Sequence, residues 1–223
     1  MIGKTNSSFN EEYNYITITV PDEFQIVEYI ESDGSSYIDT ELMAHSNMSC
    51  EMTFSFNELP KDGCLVGCRY DRSTNSRLYF YHYFNGNKLG YGNYFGDGNI
   101  TINTVYTAKV KLQIGEQSLI LNENKIFEEN INTYINPHST FYIFGMNIGN
   151  IEDTLNVKAK MFSCKIWDDN IITRYFIPVY NKTTEEIGLF DLVNQKFHKN
   201  MGTGYLLKGN DSSLPLIDIT CNF

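Results

Sequence analysis

Apolar residues recur at every second position through much of this chain, and almost nowhere at the three-to-four spacing of an amphipathic helix. Cys50, Met52, Phe54 and Phe56 fall on one face of such a stretch, with Glu51, Thr53 and Ser55 on the other. Ala108, Val110, Leu112 and Ile114 repeat the pattern around Lys109, Lys111 and Gln113. A period of two sends successive side chains to opposite faces of a pleated backbone, so each stretch predicts a strand buried on one side. Residues 118–121 and 125–128 flank Asn122, Glu123 and Asn124, whose Asn side chains tolerate left-handed backbone, and this predicts a hairpin. Further strands are predicted over residues 77–84, 140–145, 157–167 and 171–178, the last two joined by Asp168-Asp169-Asn170. A final hairpin is predicted over residues 188–193 and 196–198.

Strands this numerous, with polar turns and no intervening helical pattern, predict an all-β fold, a two-sheet antiparallel β-sandwich. No period repeats along the chain, which disfavours a propeller or solenoid. At 223 residues, one sandwich buries a full core without disulfide staples. Both ends differ from the middle. Residues 1–23 read as an N-terminal arm whose one short strand, Ile16-Thr17-Ile18-Thr19-Val20, is stopped by Pro21. Residues 24–209 form the sandwich domain, and residues 210–223 a tail with a polar linker at 210–213. Short β-prone arms of this kind pair with each other, dock on the sandwich, or add to a neighbouring subunit's sheet edge.

Composition narrows the function. Seventeen Lys and Arg stand against 27 Asp and Glu, a net charge of −10 that repels a phosphate backbone and argues against a nucleic-acid partner. No window approaches the roughly 18 consecutive apolar residues of a membrane span. The start, residues 1–14, is polar and acidic where a cleaved leader is basic and then apolar. Cys50, Cys64, Cys68, Cys164 and Cys221 are odd in number and scattered among strands, which predicts reduced core residues. Cys64 and Cys68 lack a second pair at matching spacing, and His45, His82, His138 and His198 are far apart in sequence, so no metal site is assigned. No Gly-x-Ser-x-Gly elbow, Gly-Lys-Ser/Thr phosphate loop or His-Glu-x-x-His helix occurs, and the chain reads as non-enzymatic and without a cofactor.

The most unusual segment is residues 77–95. Leu78, Phe80, His82 and Phe84 share one strand face, and Tyr79, Tyr81 and Tyr83 share the other, with Tyr91, Tyr94 and Phe95 following in a Gly- and Asn-rich stretch. Tyr79, Tyr81, Tyr83, Tyr91 and Tyr94 are therefore candidates for carbohydrate binding, since a phenol stacks on the apolar face of a sugar while its hydroxyl hydrogen-bonds. The same residues suit a subunit contact, or an aromatic ladder packed under a loop.

Two series of motifs carry a resemblance. The first is Val27-Glu28-Tyr29-Ile30-Glu31-Ser32-Asp33-Gly34 followed by Tyr37-Ile38-Asp39-Thr40. The second runs through Phe162-Ser163-Cys164-Lys165-Ile166-Trp167-Asp168, Arg174-Tyr175-Phe176-Ile177-Pro178, Ile187-Gly188-Leu189-Phe190-Asp191-Leu192-Val193-Asn194-Gln195-Lys196-Phe197 and Asn200-Met201-Gly202-Thr203-Gly204. Together they resemble laminin-G-like, concanavalin A-like lectin jelly-roll domains of the kind found in bacteriophage virion proteins and gut-bacterial surface proteins, over about residues 24–209. Within them, Gly188, Gly202 and Gly204 are expected at turns or close backbone approaches, and Asp191 with Asn194 at a hairpin. The glucanase branch of this fold carries Glu-x-Asp-x-x-Glu; here Glu31-Ser32-Asp33 is followed by Ser36 where the second Glu belongs. Asp71, Asp97 and Asp153 lie in loop-like segments of the type that hold calcium in such domains, but no ligand spacing is diagnostic and no metal is assigned.

The resemblance implies a non-enzymatic bacteriophage virion surface protein, made in the host cytoplasm and built into the particle. Its expected place is a capsid decoration, a head fibre or a tail-associated component, with the arms contacting other virion proteins or further copies of the chain. The alternative is a glycan-binding adhesin or tail-fibre protein that recognises host-surface polysaccharide.

Overall fold

A computed structural model describes residues 19–70, 77–84, 88–91, 94–97, 100–130, 136–149 and 155–213, without the side chains of 77 and 80–97. Eighteen strands follow in chain order. They begin with β1 (Phe24–Ile26), β2 (Ile30–Ser32), β3 (Ile38–Met43), β4 (Met48–Phe56), β5 (Asp62–Arg69) and β6 (Arg77–Phe84). Then come β7 (Lys88–Tyr91), β8 (Tyr94–Asp97), β9 (Tyr106–Gln113), β10 (Glu116–Leu121), β11 (Asn124–Glu129) and β12 (Thr140–Ile143). The last six are β13 (Gly145–Ile148), β14 (Ala159–Asp168), β15 (Ile171–Asn181), β16 (Ile187–Asp191), β17 (Lys196–Lys199) and β18 (Leu206–Lys208). Among the described residues there is no helix.

The larger sheet runs β11-β10-β9-β4-β14-β15-β16-β17, with β1 on β15, β2 on β14 and β18 on β2. The smaller runs β3-β12-β5-β6-β7-β8, with β13 on β5. Their inner faces share one core: Phe54, Met161, Ile166 and Phe176 come from the larger sheet, and Leu65, Val66, Phe141 and Ile143 from the smaller. The predicted sandwich is thus the observed one. Alternation was an accurate guide in β4, where Cys50, Met52, Phe54 and Phe56 are all fully buried. Asn122 and Glu123 (φ 45° and 67°) and Asp169 and Asn170 (φ 46° and 66°) take the left-handed backbone that tight hairpins require.

The structure departs from the expected strands in two places. The single strand predicted over residues 140–145 divides at buried Phe144, whose φ of 65° turns the chain and whose N–H donates to the Leu65 carbonyl. As a result β12 pairs antiparallel with β5 and β13 pairs parallel with it. Strand β5 itself does not alternate, because both of its faces are covered. Leu65, Val66 and Cys68 enter the main core, while Cys64 joins Tyr79, Met146 and Ile148 in a separate cluster.

The roots of the two extensions pair with each other and dock on the sandwich. Val20, Phe24 and Ile26 pack on Tyr175, Ile177, Val179, Phe190 and Leu192. These alternate along β15 and β16 with core residues Phe176 and Leu189, so they occupy the larger sheet's outer face. The Phe24 ring lies 5.0 Å from that of Phe190 and 5.1 Å from that of Phe197. Residues 210–212 are paired backbone rather than a free linker: Glu28 N–H donates to Asn210 O at 2.9 Å, Ser212 N–H to Ile26 O at 2.9 Å, and Val27 bridges Asp211. The pairing satisfies backbone groups on β1 that would otherwise form an open edge. The predicted strand at residues 15–20 lies outside the described residues except for 19 and 20, as do residues 214–223. Cys50, Cys64, Cys68 and Cys164 are free and buried, as expected, and Cys221 lies outside the described residues.

Candidate functional site

The opening and closing motifs, far apart in sequence, meet at one corner of the sandwich. Asp33-Gly34-Ser35-Ser36 forms a turn in which Asp33 Oδ1 accepts from Ser35 N–H at 2.8 Å and Gly34 has φ +92°. Asp33 Oδ2 accepts from Tyr205 N–H at 3.1 Å, tying this turn to the closing loop. Asn200 Oδ1 accepts from Tyr37 N–H at 3.2 Å and from Gly202 N–H at 2.8 Å, while its Nδ2 donates to Gly204 O at 2.7 Å. Met201 N–H donates to Tyr37 O at 2.8 Å. Gly202 and Gly204 are needed for close approach: a Cβ on the first would lie 2.3 Å from Ser35 O, and on the second 2.3 Å from Asp33 Oδ1. Two loops are thereby held in one geometry.

These loops carry the side chains with binding chemistry. The Tyr37 ring stacks on Tyr142 at 4.4 Å with an interplanar angle of 16°. Tyr142 alternates with the core residues Phe141 and Ile143, which puts it on the outer face of the smaller sheet, opposite Asp39 of β3. Asp39 Oδ1 accepts from Glu41 N–H at 2.8 Å, and its backbone carbonyl from His198 Nδ1 at 2.9 Å. Beside Tyr37, Met201 and Tyr205 are 58% and 61% exposed. Exposed ring, paired phenols and carboxylate together offer what a pyranose needs, a flat apolar surface bordered by hydrogen-bonding groups.

Burial pushes the Tyr142 phenol up to about 12, and the Tyr37 phenol and Asp39 carboxylate beside it act in the same direction. The ordinary value is 10.0, so the folded phenol loses its proton later than the unfolded one. Its contribution to stability is therefore whole below pH 10, and is lost as pH rises through 10 towards 12. A phenolate absorbance titration is expected to show a late-ionising tyrosine that disappears in Tyr142→Phe; an unchanged titration would remove Tyr142 from this role.

The predicted tyrosine row fares differently. Tyr79 does lie on the face opposite Leu78, but that face is closed over it by Met146, Ile148 and Leu155, and Tyr79 is fully buried. The cross-strand row Asp39, Tyr142, Gly67, Tyr79 explains how it fits: a Cβ on Gly67 would lie 2.7 Å from the Tyr79 Cβ. Tyr79 is thus a packing residue and not part of an exposed platform. The side chains of Tyr81, Tyr83, Tyr91, Tyr94 and Asp97, and residues Asp71 and Asp153, lie outside the described residues. Among the described residues, no group of three or more His, Cys, Asp and Glu is placed to hold a metal ion.

The partial glucanase motif is structural. Glu31 faces Lys160 at 3.8 Å, Asp33 holds the turn, and buried Ser36 donates its hydroxyl to Ser32 Oγ at 2.9 Å. A cavity of about 470 Å³ does collect Glu58 and Asp62 with Lys61, Asn156 and Lys158. Glu58, however, is a solvated side chain, 68% exposed and paired with Lys158 at 3.1 Å, without the shielding that prepares a catalytic acid.

Sequence reasoning overlooked Tyr37, Tyr142, Met201 and Tyr205 as a group. Tyr37 and Met201 were visible inside the two motif series, but nothing local to either joins residues 163 to 164 positions apart.

A scan against protein-family models finds no match, and a search of curated proteins finds none. Solved structures do share the architecture. A candidate carbohydrate-binding protein from Bacteroides ovatus superposes with a TM-score of 0.56 at 14% identity, over 83% of this chain and 61% of that one. This chain thus spans about three fifths of that protein's length. A native heptameric SAP-like pentraxin from Limulus polyphemus superposes with a TM-score of 0.50 at 9% identity, over 84% of this chain and 94% of that one. For domains LG4-5 of the mouse laminin alpha1 chain the values are 0.47 and 8%, over 69% of this chain and 48% of that one. The two antiparallel sheets and these superpositions make the fold a concanavalin A-like, laminin-G-type jelly roll.

Proposed function

We propose that this protein is a non-enzymatic carbohydrate-binding jelly roll that receives a sugar ring at the corner formed by Tyr37, Tyr142, Met201 and Tyr205. The observation that carries this reading is an exposed tyrosine beside a stacked phenol pair and a carboxylate, on two loops cross-linked by Asp33 and Asn200. Pre-organised loops lose little conformational freedom when ligand binds. The fold shared with the Bacteroides protein is consistent with such a site. From the motif resemblance, the setting is the surface of a bacteriophage virion assembled in the host cytoplasm, where the module recognises host-surface polysaccharide and its terminal extensions contact other virion proteins. Display in several copies would multiply a weak single-site affinity.

The test is a broad glycan array followed by titration calorimetry on the best ligand. Tyr205→Ala is expected to bind about tenfold more weakly with an unchanged Tm, a loss of about 1.4 kcal/mol. A folded protein blind to the whole array would overturn the carbohydrate reading. The virion setting is checked separately by immunogold labelling of purified particles, and unlabelled particles would reject it.

A further inference from the structure

The corner also has a charge, and the charge narrows the ligand. Asp39 uses one carboxylate oxygen, Oδ1, to accept from Glu41 N–H at 2.8 Å. The other stands on the side of β3 that faces Tyr142 across the strand pair. The charged and phenolic groups that act on Tyr142 are Asp39 and Tyr37, with no cation among them. Two nearby cations are engaged elsewhere: Lys196 with the Glu41 carboxylate and Arg174 with Asp191 at 3.5 Å. The second acidic residue of the corner, Asp33, already accepts from two backbone N–H groups. What remains for a ligand is a carboxylate edge beside phenol oxygens and ring faces, on a chain of net charge −10. An ammonium group is matched by the carboxylate, by the phenol acceptors and by the negative face of an aromatic ring. A ligand carboxylate or sulfate would meet only like charge.

We propose that this corner selects glycans containing 2-amino-2-deoxy sugars with a free ammonium group, over uncharged sugars and against acidic ones, with the ammonium placed at Asp39. The proposal rests on the carbohydrate reading above and assigns the charge of its ligand. Asp39→Asn is a clean probe, because the amide oxygen still accepts from Glu41 N–H and so preserves the local turn.

The experiment titrates the full chain by calorimetry with three oligosaccharides of equal length: chitosan with free amines, fully N-acetylated chitin and polygalacturonate. The expected order is amine, then neutral, then acid, with about five- to tenfold between the first and last, the range of a partly exposed ion pair. Raising the ionic strength should shrink that gap, because exposed charges are screened. Asp39→Asn should abolish the preference for amine while neutral binding stays within about twofold. Polygalacturonate bound as tightly as chitosan, or a preference that survives Asp39→Asn, would overturn the proposal. If Tyr205-dependent binding of neutral sugars persists without charge preference, only this inference fails. If no sugar binds, the carbohydrate reading fails with it.

Discussion

Asp191→Ala is expected to destabilise the domain by about 3–5 kcal/mol, the cost of removing one member of a buried, hydrogen-bonded charge pair. Asp191 is fully buried at the end of β16. Its Oδ1 accepts from Tyr175 N–H and Val193 N–H, both at 3.0 Å, and its Oδ2 from Asn194 Nδ2 at 2.6 Å. Arg174 Nε lies 3.5 Å away, on a side chain only 16% exposed. The carboxylate therefore closes the β16–β17 turn, fixes its register against β15 and compensates a guanidinium that has little water. Alanine would leave backbone donors and a cation unsatisfied together, and unmade buried bonds cost more than made ones return. Asp191→Asn keeps an acceptor but loses the charge and turns an amide NH2 towards existing donors, so its loss should be smaller. Urea unfolding of the three proteins checks the order. An Asp191→Ala loss under about 1 kcal/mol, the value of an ordinary hydrogen bond, would show that the turn does not depend on this carboxylate.

Gly202→Ala is expected to cost about 1–3 kcal/mol as an overpacking change and to abolish sugar binding at the corner. The added Cβ would lie 2.3 Å from Ser35 O and 2.9 Å from Ser36 Cα. Both are backbone atoms and neither can swing aside as a side chain does. Relief requires the loop carrying Met201 and Tyr205 to move away from Tyr37, breaking the Met201 N–H to Tyr37 O and Asn200 to Tyr37 N–H bonds. Thermal unfolding measures the first effect and calorimetric titration the second. A Gly202→Ala protein that is as stable as wild type and binds sugar normally would show that the loop is not held as described, or that the ligand sits elsewhere. A variant that is less stable yet still binds would keep the packing account and reject the site.

Hairpins were legible in the sequence because their chemistry is local. Asn122 with Glu123 and Asp169 with Asn170 supply residues suited to positive φ next to alternating runs, and both turns are present. The close approaches of Gly188, Gly202 and Gly204 were also anticipated from their motifs: a Cβ on Gly188 would lie 2.3 Å from His198 O. Strand β5 was not legible. Its run Gly63-Cys64-Leu65-Val66-Gly67-Cys68 has no alternation to detect, since a strand covered on both faces has no polar side. The expected exposure of Tyr79 failed for the same cause, because periodicity reports that two faces exist and says nothing about what covers them.

Spacing of apolar residues, turn-forming pairs and absent catalytic motifs by themselves determined an antiparallel sandwich with a reduced, cysteine-containing core, because these are properties of short stretches of chain. Only the tertiary structure decided which surface is available to a ligand. Tyr79 is buried because β13 turns at Phe144 and packs beside β5, and Tyr37 and Tyr142 adjoin because β3 pairs with β12. Tyr205 joins them through Asp33, 172 residues away in sequence. Such contacts depend on how the sheets pair across the whole domain, and no local pattern encodes that pairing.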